Sequence, residues 1–239
     1  VQEINTIDDA NLAFDTITYE KGLAVIRMLE AYVGEEDFRT GVRNYLNSRL
    51  YGNARTEDLW TAIQAASGKP VLEIARSFTN QSGFPVLRVS QAQCSRRNAD
   101  SRITLTQQRF AMDDTARTDQ RWEIPVVARR LGGEPIRAVL PAQSSAEIDA
   151  APGCGAYLVN AGQSGFFRVL YDDANIATLA ARMATLDTAD QLGLLLDYWA
   201  FGRSGDAPFT RYLDLVSAVP ANADPVVVMD TAGSMAALA

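Results

Sequence analysis

The hydrophobic period of this chain changes twice, and these two changes restrict its fold more than any other feature. Apolar residues recur every three or four positions up to about residue 82, alternate with polar residues as far as Tyr171, and then return to the longer period. The longer period is typical of helices that bury one face, and alternation is typical of half-buried strands. The pattern therefore predicts an α+β protein with a helical block to about Ser82, strands from Val86 to Tyr171 and helices after Asp172. At 239 residues, these parts could form one large domain or two to three small ones.

The middle segment contains six short stretches of alternating pattern, separated by polar or Gly/Pro-rich sequence. They are Val86–Val89, Ile103–Gln107, Trp122–Val127, Arg137–Leu140, Ala156–Val159 and Phe166–Tyr171. Short strands at this spacing favour a small antiparallel β-sandwich. Pro125 has no backbone N–H to donate to a neighbouring strand, so we expect it at a sheet edge or a bulge.

Residues at helix ends predict where individual helices begin and stop. Thr56 should cap a helix that carries Glu57 and Asp58 in its first turn, because a threonine side chain accepts hydrogen bonds from the free N–H groups there. Gly202 should end a later helix. Successive helices of about 10–15 residues after position 172 favour the start of a solenoid-like helical domain.

Composition restricts the classes of partner. The 239 residues carry a formal net charge of −7, and no run of basic residues stands out. Nucleic-acid binding requires clustered positive charge, so a nucleic-acid partner is not expected. No apolar run approaches the roughly 20 residues that a membrane span needs. No charged-then-apolar leader follows Val1, so no targeting signal is visible. The start without a methionine and the end inside a helix-like run, Met235 to Ala239, predict a piece of a longer protein.

The sequence contains no histidine. A Ser-His-Asp or Cys-His catalytic site is therefore excluded, as is the H-E-x-x-H motif that binds zinc through two imidazoles. Cys94 and Cys154 cannot complete a four-ligand zinc site alone. Any catalytic role of this chain therefore depends on residues outside it.

The two cysteines allow two interpretations. They are either separate thiols, as is usual in a cytosolic protein, or a disulfide that closes a loop of about 60 residues. In the chain-entropy model such a loop stabilises the fold by about 4 kcal/mol. We favour the Cys94–Cys154 disulfide, since both residues fall in one small domain. It predicts a periplasmic or secreted protein; without it, the prediction is cytoplasmic.

The segment from Phe14 to Leu29, FDTITYEKGLAVIRML, carries the candidate site. Its apolar residues Leu23, Ile26 and Leu29 have helical spacing, and Tyr19 stands at the start of that helix. From periodicity alone, Tyr19 is a core aromatic. Gly22 in a first turn costs about 1 kcal/mol relative to alanine, which indicates that a backbone or a ligand passes close by.

This segment resembles the aminopeptidase N family of zinc metallopeptidases, in which a helix opening with a tyrosine and then Lys-Gly faces the zinc site. The resemblance continues in the family's order through Tyr51–Ala54, Thr56–Trp60 and Thr79–Val86. It implies a multidomain α+β protein with the helical tail of a thermolysin-like catalytic domain at residues 1–84, the β-sandwich domain at residues 85–171 and the start of the C-terminal helical domain at residues 172–239. Leu23 departs from the pattern, because the family more often has a small residue there.

The resemblance also implies a role for Tyr19 as the single catalytic residue of this chain. A phenol stays protonated at neutral pH, and in the family it donates a hydrogen bond to the oxyanion formed when a zinc-bound water attacks a peptide carbonyl. The substrates would be peptides with a free N-terminus. Zinc, its ligands and the general base would belong to the remainder of the parent polypeptide, so this chain alone would bind no catalytic zinc and be inactive.

Three other features are open to interpretation. Glu20 and Lys21 point in different directions on a helix, so we interpret them as solvated charges rather than an acid–base pair. Asp8-Asp9 and Glu35-Glu36-Asp37 resemble metal-binding carboxylate clusters, but acids at helix starts stabilise the helix dipole, and we interpret them in that role.

The alternative function is a non-catalytic interaction module that retains the family fold without the metal site.

Overall fold

The computed structural model describes residues 5–15, 17–91, 102–149 and 155–238, and in these ranges two groups of helices flank seven strands. The first group is α1 (Ile7–Leu12), a π-helical turn (Ile17–Lys21), α2 (Gly22–Val33), α3 (Glu35–Ser48), α4 (Thr56–Ser67) and α5 (Val71–Thr79). The second group is α6 (Asp173–Ala181), α7 (Thr188–Ser204), α8 (Phe209–Ser217) and α9 (Pro225–Ala236). The fold is therefore mixed α+β, as the change of period predicts.

The strands form two small sheets. They are β1 (Pro85–Gln91), β2 (Arg102–Arg109), β3 (Ile124–Arg130), β4 (Pro135–Leu140), β5 (Ser145–Asp149), β6 (Tyr157–Val159) and β7 (Arg168–Tyr171). One sheet has the order β5-β2-β1-β7 and the other β4-β3-β6. The sheets are mostly antiparallel, as predicted, but β1 and β7 are parallel. Parallel neighbours need a crossover rather than a hairpin, and here the chain passes through the second sheet before β7 returns beside β1.

Pro125 lies in β3, the central strand of its sheet, yet its position agrees with the expectation of an edge. β4 pairs with β3 from Ile124 to Arg129, whereas β6 pairs with it only from Ala128 to Arg130. At Pro125, β3 therefore has a strand neighbour on one side only among the described residues. The carbonyl of Val127 points to the β6 side of β3, where it accepts the backbone N–H of Ala161 at 3.0 Å. Backbone polar groups two residues apart in a strand point to the same side, so the nitrogen of Pro125 faces the side without a described strand neighbour and no ladder hydrogen bond is lost there.

One predicted capping residue and one predicted helix end are wrong. α4 does begin at Thr56, but its cap is formed by Asp58, whose Oδ2 atom accepts the backbone N–H of Arg55 at 2.8 Å. α7 continues through Gly202 and ends at Gly205, which adopts a left-handed conformation with φ of 78°. Gly202 instead makes room for a neighbour, because a Cβ there would lie 2.3 Å from the ring of Phe209.

Aromatic packing joins the first helical group to the sheets. Phe78 at the end of α5 is fully buried, and its ring centroid lies 6.5 Å from that of Trp122 and 6.3 Å from that of Phe166. Buried side chains from both helical groups and both sheets belong to one apolar cluster. The type of element changes between Thr79 and Pro85 and again after Tyr171. The division into three domains stays a prediction.

Within the described ranges, no helix combines the length and the apolar character needed to cross a membrane.

Candidate functional site

Tyr19 lies in the π-helical turn that leads directly into α2. The turn is held at its start by Asp15, whose Oδ1 atom accepts the backbone N–H of Thr18 at 2.7 Å and whose carbonyl accepts that of Tyr19 at 3.2 Å. π-helical turns are rare and frequently occur at functional sites. The backbone around the candidate catalytic residue is therefore fixed in an unusual local conformation.

The ring of Tyr19 is not a core aromatic. Its side chain is 63% exposed, and its nearest aromatic neighbour is Phe14, itself 69% exposed, with the two ring centroids 6.5 Å apart. Leu23, one turn further along, is also exposed. Tyr19 therefore belongs to an exposed apolar face at the start of α2, where its hydroxyl is accessible.

The apolar residues Leu23, Ile26 and Leu29, which have helical spacing, do not form the buried face of α2. Leu29 is buried, but Leu23 and Ile26 are exposed. The residues that α2 buries are Val25, Met28, Leu29, Tyr32 and Val33. Because apolar residues occupy much of this helix, two different stripes fit the helical period, and the stripe carrying Val25 and Met28 is the one that faces the core.

Glu20 and Lys21 have different environments. Glu20 is exposed, in agreement with a solvated charge. Lys21 is only partly exposed, and its Nζ atom donates to the backbone carbonyl of Gln81 at 2.9 Å. Burial lowers the pKa of the Lys21 ammonium below its usual value. The interpretation of Lys21 as a solvated charge is therefore wrong, because its side chain packs back onto the protein.

A cleft of about 550 Å³ opens beside the π-helical turn. Its walls come from the start of α2, the start of α4 and the connection from α5 to β1, and they include Lys21, Gly22 and Trp60. A Cβ at Gly22 would have no described atom within 4 Å. The glycine therefore leaves open space next to the turn, and no described backbone passes close to it. Tyr19 lies outside the cleft lining, on another face of the same turn.

The described residues contain no group of three or more Cys, Asp or Glu side chains arranged to hold a metal ion. Asp9 instead completes the capping box of α1 with the N-cap residue Thr6. The Thr6 side chain and the backbone N–H groups of Asn5 and Thr6 donate to its carboxylate and lower the pKa of that carboxyl. Glu35 and Glu36 form exposed ion pairs with Arg39. The described part of the chain therefore does not fit a zinc site, and Cys94 and Cys154 lie outside it.

Two buried carboxylates on α7 were not identified from the sequence. Asp190 is fully buried and accepts hydrogen bonds from Arg129 and from the backbone N–H of Gly162, each at 2.7 Å. Asp197, two turns further along, pairs with Arg168 and borders a second cavity, of about 530 Å³. The sequence signal that could have identified them is their spacing, since two aspartates seven residues apart lie on one face of a largely apolar helix.

Comparison with known proteins gives two family matches. Residues 1–78 match the Peptidase family M1 domain, and residues 156–239 match the ERAP1-like C-terminal domain. Together the two matches cover most of both helical groups.

Several curated proteins are similar along most of the chain. Tricorn protease-interacting factor F2 of Thermoplasma acidophilum is 34% identical over 99% of this chain and 28% of its own length. Probable aminopeptidase 1 of Saccharolobus solfataricus is 37% identical over 79% of the chain and 22% of its own length. Alanine/arginine aminopeptidase of Saccharomyces cerevisiae is 34% identical over 90% of this chain and 24% of its own length. The chain thus spans about a quarter of the length of these relatives.

Proposed function

Because this chain is related in sequence to the M1 family aminopeptidases over most of its length, we propose that it is part of a zinc-dependent aminopeptidase that removes N-terminal residues from peptides. The family match at residues 1–78 includes the Tyr19–Gly22 motif, and several relatives carry the name aminopeptidase. The substrates in this proposal are peptides with a free N-terminus.

The proposed role of Tyr19 is to stabilise the tetrahedral intermediate. Its phenol would donate a hydrogen bond to the oxygen of the attacked carbonyl, which becomes negatively charged as the intermediate forms. The observation that supports this role is the 63% exposure of Tyr19, since a phenol enclosed by packed hydrocarbon could not reach a substrate. The exposed Phe14 and Leu23 on the same face provide apolar surface around it.

Zinc would be held by residues that do not belong to this chain. The sequence has no histidine, and the described residues offer no suitable group of acidic or thiol ligands. Bound zinc supplies Lewis-acid activation of water. The contribution of this chain is limited to the hydrogen-bond donor at Tyr19 and to the elements that hold it.

We also propose an assignment of the three segments within the parent protein. The first helical group would be the tail of a thermolysin-like catalytic domain, and the second the start of a solenoid-like C-terminal domain, with the sheets between them. The family matches at the two ends of the chain favour this order. The remainder of the parent polypeptide is then the partner that covers the exposed face carrying Phe14, Tyr19 and Leu23.

The test is the rate of hydrolysis of an aminoacyl anilide by the whole parent protein, with and without the Tyr19→Phe substitution. We expect the substitution to lower kcat by about 10²–10³, the usual cost of losing one oxyanion donor. The 239-residue chain alone should show no activity. Unchanged turnover by the phenylalanine variant, or hydrolysis by the isolated chain, would contradict the proposal.

The alternative is an interaction module without catalysis, and one observation favours it. The apolar face at the start of α2 is exposed, which suits protein binding as well as it suits a substrate cleft. The two functions differ in the residues that precede Val1 in the parent protein. An H-E-x-x-H motif followed by a helix with a further glutamate supports the enzyme, and its absence supports the module.

A further inference from the structure

The chain contains only two lysines, Lys21 and Lys69, and each donates to backbone carbonyls rather than to a carboxylate. The Nζ atom of Lys21 lies 2.9 Å from the carbonyl oxygen of Gln81, sixty residues away in sequence. That of Lys69 lies 2.7 Å from the carbonyl oxygen of Tyr32 and 3.1 Å from that of Val33. Lys21 therefore connects the π-helical turn to the segment that follows α5, and Lys69 connects the segment between α4 and α5 to the end of α2.

Lys21 makes this contact at an energetic cost. Its ammonium is partly removed from water, which lowers its pKa, and no described carboxylate lies within ion-pair distance of it. A solvated lysine on the same turn would avoid this desolvation. The hydrogen bond to Gln81 therefore offsets a desolvation cost that an exposed lysine at this position would not have.

The acceptor of this hydrogen bond is itself held firmly. The side-chain amide of Gln81 donates to the carbonyl oxygens of Ser77 at 2.7 Å and Arg121 at 2.8 Å. Gln120 adds a hydrogen bond to the carbonyl oxygen of Ser82 at 3.2 Å. The segment that receives Lys21 is thus fixed to α5 on one side and to the chain that enters β3 on the other.

Lys21 is also the last residue of the π-helical turn that carries Tyr19. A π-helical turn holds more residues per turn than an α-helix, so its formation changes the direction in which the residues before α2 point. Gly22 follows directly and has open space beside it, so packing at that position does not hold the turn. The side chain of Lys21 therefore joins the end of the turn to a rigid part of the fold.

From these contacts we propose that Lys21 is a positioning residue for Tyr19. The hydrogen bond from Nζ to the Gln81 carbonyl fixes the π-helical turn, and the turn aims the phenol at the reacting carbonyl. This inference rests on the proposed function, because it assumes that Tyr19 acts on substrate. Misplacement of a catalytic group by about 1 Å can cost 10²-fold in rate, so a residue that only fixes direction can still control turnover.

The experiment measures kcat and KM of the whole parent enzyme with four variants: Tyr19→Phe, Lys21→Met, Lys21→Arg and the double variant Tyr19→Phe/Lys21→Met. We expect Lys21→Met to lower kcat by roughly 10-fold or more, with KM changed by less than about twofold. Lys21→Arg retains a cationic donor and should restore part of kcat. In the Tyr19→Phe background, Lys21→Met should cause no further loss, because the phenol that it positions is gone.

Lys69→Met is the matched control. It removes the other lysine that donates to backbone carbonyls, but Lys69 lies away from the turn that carries Tyr19. We expect it to lower the melting temperature without changing kcat. A loss of kcat in Lys69→Met equal to that in Lys21→Met would overturn the inference, because both effects would then follow from general destabilisation.

A second variant keeps the inference testable if Lys21→Met does not fold. Gln81→Ala removes the amide that holds the acceptor segment and leaves Lys21 intact. It should lower kcat in the wild-type background and not in the Tyr19→Phe background.

The outcomes separate this inference from the proposed function. If Tyr19→Phe loses activity but Lys21→Met and Gln81→Ala do not, or if their losses are equal in both backgrounds, Lys21 does not position the phenol. If Tyr19→Phe itself retains full turnover, the proposed function is wrong, and the inference that depends on it falls too.

Discussion

The Nη1 atom of Arg168 on β7 lies 2.9 Å from Oδ1 of Asp197 on α7, and the other oxygen of the same carboxylate accepts the backbone N–H of Val169 at 2.8 Å. The guanidinium also lies over the ring of Phe110, 5.1 Å from its centroid. One buried carboxylate therefore joins the second helical group to the edge of the four-stranded sheet. Its protonation should affect how firmly these two parts hold together.

Stability should depend on pH through Asp197. Burial raises the pKa of its carboxyl to about 6, against the opposing effects of Arg168 and the Val169 N–H. The folded state therefore binds this proton more tightly than the unfolded state. The contribution of this protonation to the free energy of unfolding is complete below about pH 4 and is lost as pH rises through 6. It amounts to at most roughly 3 kcal/mol.

The measurement is the free energy of unfolding at intervals from pH 4 to 7 for the wild type and for Asp197→Asn, which keeps the side-chain shape and does not titrate. The advantage of the wild type over the variant should shrink as pH rises through this range. A difference that stays constant or grows with pH would contradict the assigned shift.

Asp190 should matter more for stability than its exposed neighbour Asp187. Both carboxylates bind Arg129, but Asp190 is fully buried and also accepts the N–H of Gly162, whereas the side chain of Asp187 is 75% exposed. Breaking a buried pair leaves a partner without compensation and typically costs about 3 kcal/mol or more, while an exposed pair contributes about 0–1 kcal/mol. Denaturant unfolding of Asp190→Ala and Asp187→Ala should show this contrast, and equal effects would contradict it.

The order of elements could be predicted from the sequence because the period of apolar residues directly reflects helix or strand geometry. The pattern does not predict β5, since Ser145–Asp149 contains only Ala146 and Ile148 as apolar residues and lies at a sheet edge. It also predicts the end of α7 at Gly202, whereas the helix ends at Gly205. Sequence alone does not distinguish Gly202, which accommodates a neighbouring ring, from Gly205, which adopts a left-handed conformation.

The candidate site could be predicted only in part. Tyr19 was identified through its motif, and the structure adds its exposure and the π-helical turn. The contact between Lys21 and Gln81 spans sixty residues, and that between Arg129 and Asp190 spans 61. Such pairs depend on how separate elements pack, which local periodicity does not encode. The sequence pattern alone therefore predicts an exposed side chain for an acid such as Asp190, because the arginine that pairs with it lies on a distant element.

Gly41 should not tolerate alanine although it lies within α3. A Cβ there would come 2.6 Å from the Cα atom of Ile63 on α4, so backbone would have to move. The clash should outweigh the helix propensity gained with alanine, about 1 kcal/mol, and give a net loss of roughly 1–2 kcal/mol. Thermal unfolding of Gly41→Ala measures this loss.

Gly233 in α9 provides the matched control for Gly41. A Cβ at Gly233 would meet no described atom within 4 Å, so Gly233→Ala should stabilise the protein by up to about 1 kcal/mol through helix propensity alone. If both alanine variants gained stability, the close approach of α3 to α4 would not restrict position 41.

The state of the two cysteines remains a prediction that mass spectrometry can test directly. We propose a Cys94–Cys154 disulfide, and with it a periplasmic or secreted protein, because the sequence has only two cysteines and both fall in one small predicted domain. Protein purified without reductant and treated with an alkylating reagent under denaturing conditions should then take up no label, and after reduction it should take up two.

In the chain-entropy model, loss of the disulfide costs about 4 kcal/mol. Cys94→Ser/Cys154→Ser should therefore unfold at lower denaturant concentration. Two labelled thiols in the unreduced protein would remove both the disulfide and the argument for an oxidising compartment.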